Sequence, residues 1–195
     1  MKTSAVEILE KAKRASFKNY DLLFVSSLCN VAELKALIGS DCPPIVLYAH
    51  ENQHTYPKNK YQKSDFHIEW IDFMNTVSAD FVLYNSNSHR TAYHQAVKLF
   101  LQSSPEINIS SDDWLNRAEQ KSSVIYPGTD TADYPLHSIS DTAKPTIIWN
   151  HRWQYDKQPL LFLKTLIRCI RAGYDFELIL LGESPASPSA KYEEY

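Results

Sequence analysis

Ile45-Val46-Leu47-Tyr48-Ala49-His50-Glu51-Asn52-Gln53-His54-Thr55-Tyr56-Pro57 is the stretch on which the fold turns. Ile45 to Tyr48 are four consecutive apolar or aromatic residues, the pattern of a buried strand. The run then switches abruptly to His50, Glu51, Asn52, Gln53 and His54. A dense polar cluster at the carboxyl end of a buried strand is where open α/β sheets bind ligands, because the loops there line a crevice.

Working outward, the chain alternates strand and helix patterns on both sides of this stretch. Upstream, Ala5 to Ala15 has near-helical apolar spacing, Leu22 to Val25 reads as a short strand, and Asn30 is placed to cap a helix from Val31 to Ile38 that Gly39 ends. Downstream, Pro57 to Lys63 is a polar loop with three lysines. Phe66, Trp70, Phe73, Met74 and Val77 share one helical face, and Phe81 to Tyr84 form the next strand. That strand also ends in polar residues, Asn85-Ser86-Asn87-Ser88, before a helix from about His89 to Leu101. A shorter helix capped by Ser111 and a strand over 124–127 complete the alternation.

Residues 136–143 lie in a stretch rich in Thr, Asp, Ser and Pro and read as a linker. Beyond it, Thr146 to Trp149 is a strand, Asn150 to Gln158 a polar loop, and Pro159 opens a helix whose apolar face is Leu160, Leu163, Leu166, Ile167 and Ile170. Phe176 to Leu181 is a final strand. The expected domains are therefore 1–135 and 144–195, the second holding a single βαβ unit that cannot by itself cover both faces of its sheet.

Composition excludes several classes. The net charge of -3 argues against a strongly electrostatic nucleic-acid module or a polybasic membrane segment. The three cysteines are widely separated and fit no metal spacing, so they read as free thiols in a reducing compartment. No signal-type leader and no run of ~18 apolar residues is present, which points to a cytoplasmic protein without a membrane span. With 4 glycines in the chain there is no Gly-rich phosphate loop, which disfavours a generic NAD-binding Rossmann protein.

Several ordered motifs together resemble the tRNA-queuosine α-mannosyltransferase family, retaining glycosyltransferases of the GT-B fold. They are Ser26 to Leu34, His50-Glu51-Asn52-Gln53 with Tyr56-Pro57, Asp65-Phe66, Ala79-Asp80, Asn85-Ser86, Trp149-Asn150-His151-Arg152-Trp153 with Asp156-Lys157, and Leu181-Gly182-Glu183. The similarity runs from about Tyr20 to Glu183. The family pattern has Pro where Asn150 stands and Leu or Ile where His54 stands.

The resemblance implies Rossmann-like parallel sheets of a GT-B enzyme. The first domain would be nearly complete but without its first strand. The second would be represented by its first βαβ unit, without the E-x7-E donor motif. It also implies residue roles: Arg152 and Lys157 for the donor diphosphate, His50 and Glu51 at the catalytic centre, and Asn52, Gln53, Asn85, Ser86 and His151 around the sugar or acceptor. The donor would be a nucleotide sugar, GDP-mannose, and the acceptor queuosine in tRNA, with no metal and no further cofactor. A chain of this extent is expected to transfer little sugar alone. The alternative reading is a non-catalytic sugar-nucleotide or RNA-binding fragment of the same fold. His54 and His67 are expected at the surface, and Trp149 and Trp153 in the packing of the second unit.

Overall fold

A computed structural model of the chain describes residues 5–12, 17–56, 65–104, 109–132 and 144–182. The lysine loop after Pro57, the linker at 136–143 and Glu183 lie outside the described residues. The chain divides into two compact units after Thr129, each built on its own parallel sheet.

The first unit begins with α1 (Ala5–Lys11) and continues through β1 (Leu23–Ser26), α2 (Val31–Ile38), β2 (Ile45–Ala49), α3 (Phe66–Ser78), β3 (Phe81–Tyr84), α4 (Asn87–Ser103), α5 (Ser111–Gln120) and β4 (Ser122–Val124). The four strands are parallel and lie in the order of the sequence. Sequential parallel strands joined by right-handed crossovers carry their helices on one face. Burial follows suit. Ile45, Leu47, Val82 and Tyr84 point into a core with Val31, Leu34, Phe73, Tyr93, Val97, Phe100 and Leu115 from the helices. On the opposite face Phe24 is 62 % and Phe81 39 % exposed, although parallel sheets are usually covered on both sides.

Local chemistry explains most boundaries. Asn30 caps α2 by accepting from the Glu33 N–H, and Asp65 caps α3 by accepting from His67 and Ile68. Gly39 ends α2 at φ 71°, a left-handed conformation that glycine adopts without a Cβ penalty. Two expected boundaries need correction. The cap of α5 is Ser110, whose hydroxyl accepts from Asp113, because the extended backbone a cap requires falls one residue before Ser111. The fourth strand is β4, Ser122–Val124, and ends where the expected strand begins: its register against β3 ends at Val124 opposite Tyr84, the last residue of that strand.

The second unit holds β5 (Thr146–Asn150), α6 (Pro159–Arg171) and β6 (Glu177–Leu181), with β5 and β6 paired in parallel. Pro159 occupies the first turn of α6 as its missing N–H allows. Of the apolar face expected for α6, Leu166 is buried, while Ile167 and Ile170 stay exposed. Ile148, Ile179 and Leu181 are exposed on the sheet. Among the described residues no helix is long and apolar enough to cross a membrane, and all three cysteines are free thiols.

Candidate functional site

β2 and β3 are neighbours, so their carboxyl ends deliver two polar loops side by side. His50 follows β2 directly and is exposed. Its ring stacks over Tyr48 at 6.1 Å, and Tyr48 in turn stacks over Phe24 at 5.9 Å, forming an aromatic row along the uncovered sheet face. On the other side His50 Nδ1 lies 3.4 Å from Ser27 Oγ, a buried hydroxyl just past the end of β1.

The rest of the β2 loop is held from within the protein. Asn52 is buried, and its Oδ1 accepts from the Thr55 N–H at 2.8 Å and from the Thr55 hydroxyl at 3.1 Å. The Gln53 N–H donates to Asp72 Oδ2 of α3 at 2.6 Å. Glu51 and Gln53 are half-buried.

Asn85, at the end of β3, donates from Nδ2 to the His50 carbonyl at 2.8 Å. Ser86 is the cap of α4, accepting from the His89 N–H at 3.0 Å. Within the first turn of that helix His89 sits between the two loops. Its Nε2 is 2.7 Å from Asn52 Nδ2, and its Nδ1 is 2.9 Å from Asn85 Oδ1. Burial pushes the His89 pKa below the usual histidine range, helped by the nearby His50. The Ala49 backbone and Asp72 pull the other way.

Thus His50, Glu51, Asn52, Gln53, Asn85 and Ser86 come together on adjacent strand ends. Sequence reading missed His89, Ser27 and Asp72. His89 carried one usable signal, its place in the first turn of the helix after a polar strand end; its partners are 37 and 4 residues away. His67 is exposed as expected, but His54 is not a surface residue: its ring is half-buried, edge-on to Tyr93 at 5.7 Å and Phe100 at 5.1 Å. An apolar side chain would suit that place, as the Leu or Ile of the family pattern would.

The second unit carries the other group. His151 and Arg152 follow β5 and are exposed. The loop turns tightly, with Gln154 N–H donating to the Arg152 carbonyl and Lys157 N–H to the Gln154 carbonyl. Lys157 pairs with Asp156 at 2.9 Å, and this bond, with the charges of Lys157 and Arg152, holds the Asp156 carboxyl below its usual range despite burial. Gln158 takes a left-handed backbone, φ 54°, and α6 has no side-chain cap. Trp149 is buried against Phe162 at 4.3 Å and Trp153 at 6.1 Å, which is a packing role. No group of three or more His, Cys, Asp or Glu among the described residues could hold a metal ion.

Parallel β/α alternation with polar, hydrogen-bonded loops at the strand ends is a Rossmann-like α/β architecture. The chain belongs to the tRNA-queuosine alpha-mannosyltransferase family. The model of that family's N-terminal domain matches residues 1–129. A Drosophila melanogaster protein named tRNA-queuosine alpha-mannosyltransferase is 30% identical over an alignment of 176 residues that covers 85% of this chain and 46% of that protein. The chain therefore spans less than half the length of this relative.

Proposed function

We propose that this chain contributes the acceptor-side unit and the beginning of the donor-side unit of a retaining glycosyltransferase of the GT-B type. The reaction is transfer of mannose from GDP-mannose to queuosine in tRNA. The observation that carries this reading is the polar cluster His50 to Gln53, tied to Asn85 at the carboxyl ends of β2 and β3, in a stretch that the family's N-terminal model covers. The domain limits follow the same reading, 1–135 and 144–195 around a linker at 136–143.

In this reading the diphosphate leaving group gathers negative charge as the glycosidic bond breaks. Arg152 and Lys157 neutralise it by charge-assisted hydrogen bonds, and the N-terminus of α6 adds its partial positive charge. His50 bonds the donor sugar and Glu51 acts beside it at the reacting carbon. Gln53, Ser86 and His151 face hydroxyls of the sugar or acceptor, with Asn52 and Asn85 holding that wall in place. No metal or cofactor is required. Free thiols and a tRNA acceptor fit the cytoplasm.

Two measurements test the proposal. Equilibrium titration should show GDP-mannose and GDP binding, with uridine nucleotides weaker. Labelled mannose should enter queuosine-containing tRNA only slowly with this chain alone, and should not enter tRNA that lacks queuosine. Nucleotide binding without transfer would favour the non-catalytic alternative, and failure to bind any nucleotide sugar would remove the proposal.

A further inference from the structure

We infer that His89 is the positioning residue of the β2/β3 crevice, a neutral imidazole clamped between two carboxamides so that the loop carrying His50 is fixed only while the ring is unprotonated.

The tautomer follows from the surrounding bonds. Thr55 sends two donors, its N–H and its hydroxyl, to Asn52 Oδ1, so the Asn52 carboxamide must present its NH2 group to His89. His89 Nε2 is then an acceptor, and the ring proton must be on Nδ1. Nδ1–H donates to Asn85 Oδ1, which leaves the Asn85 NH2 group to donate to the His50 carbonyl. Every donor in this relay meets an acceptor, and it runs from the Asn52 loop through the first turn of α4 to the backbone of His50.

A second proton breaks the relay. Nε2–H would face the Asn52 NH2 group, donor against donor. Turning the carboxamide over would forfeit both Thr55 bonds. The surroundings oppose that proton. The ring is part-buried edge-on to Tyr84 at 5.8 Å, the neighbouring His50 disfavours a charge on it, and the positive end of the α4 dipole lies in the same turn. Asp72 of α3 and the Ala49 backbone act the other way. The Asp72 carboxylate already accepts from the Gln53 N–H, so it holds the same loop from the opposite side.

This inference rests on the crevice being the sugar-side wall proposed above, so its test has two arms that fail separately. The first needs no ligand. In protein labelled with nitrogen-15, histidine spectra should show His89 as the Nδ1–H tautomer titrating below the usual 6.5 of histidine. The side-chain NH2 signals of Asn52 and Asn85 and the His50 backbone should shift with it. In H89Q, whose carboxamide keeps one acceptor and one donor but cannot titrate, the side-chain NH2 signals of Asn52 and Asn85 should stay near their neutral-pH positions as pH falls. An Nε2–H tautomer, or Asn52 and Asn85 side-chain signals indifferent to the state of His89, overturns the inference.

The second arm reads the sugar. The advantage of GDP-mannose over GDP should fall about tenfold between pH 7.5 and pH 5, the size of one ordinary hydrogen bond lost, while GDP alone changes less. H89Q should flatten that profile and H89A should lower the advantage at every pH. A wild-type advantage that ignores pH while His89 titrates overturns the positioning role. If neither nucleotide binds, the donor-site reading has failed, and the first arm alone decides on His89.

Discussion

Asn75 of α3 reaches back to the start of α2 with both ends of its carboxamide: Oδ1 accepts from the Val31 N–H and Nδ2 donates to the Cys29 carbonyl, each at 2.8 Å. The side chain is 1 % exposed, so these two backbone groups have no water to turn to. α3 as a whole is a polar hub. It buries Glu69, Asp72, Asn75 and Thr76 beside Phe73, while Phe66 stays half-exposed.

Replacing Asn75 by Ala should therefore cost about 2 to 4 kcal/mol, since it leaves a buried donor and a buried acceptor unpaired. Urea unfolding of N75A checks this. A loss under about 1 kcal/mol would mean that the groups find other partners. N75D should be no better, because it keeps the acceptor, loses the donor and buries a charge.

Acid should weaken the first unit in two stages. Burial lowers the pKa of His89, and it lowers that of His94 too, against the pull of Glu119 and with the help of Arg90. The unfolded chain then takes up protons before the folded one does. Stability is accordingly level above pH 6.5 and falls as pH drops below it. Asp80 acts later. Burial raises its pKa, but bonds from the Ile45 N–H and Lys35, with the charges of Lys35 and Lys121, outweigh that and bring it below 3.8. Its contribution is present above pH 3.8 and is lost as pH falls further. Denaturation midpoints from pH 8 to pH 3 should show both losses, and D80N should remove the second.

R152A should weaken GDP binding by about tenfold to a hundredfold, the range for a hydrogen bond to a charged group, and should reduce its salt dependence. Lys157 shares its charge with Asp156, so K157A should cost less. Calorimetric titration of both variants at two salt concentrations checks the order. Unchanged GDP affinity in R152A would remove the diphosphate role from Arg152.

Gly182 closes β6 at φ 111°, and a Cβ there would lie 2.1 Å from the His151 carbonyl oxygen. G182A combines a disfavoured backbone with contact against rigid backbone, and should cost about 2 kcal/mol or more. It should also disturb the loop from His151 to Lys157. A melting temperature within a degree or two of the parent would contradict this account.

Reading the chain unaided works where the information is local. The runs Ile45–Tyr48 and Phe81–Tyr84, the cap at Asn30, Gly39 after α2 and Pro159 at the start of α6 are each set by a few neighbouring residues, and each lies where expected. The His50 to Gln53 cluster was legible for the same reason, because a polar run after a buried strand must emerge at its carboxyl end. The cap of α5 was misplaced by one residue because Ser110 and Ser111 are equally good caps by type, and only backbone geometry separates them.

The surroundings of those residues were not legible. His54 reads as one more polar residue in a polar loop, yet the fold carries its ring against Tyr93 and Phe100. Asp72 and Asn75 look like the solvent side of an amphipathic helix, yet they bond to backbone 19 to 46 residues away.

Hydrophobic period and cap chemistry act over a few residues, so the order of strands and helices, the cap at Asn30 and the two polar loops at strand ends can be read from the chain alone. Folding is what makes β2 and β3 neighbours, and with that pairing come the His89 bridge between Asn52 and Asn85 and the hold on His50. Such bonds depend on which strand ends meet and on which polar groups are left without water, and neither is encoded in any short window of the chain.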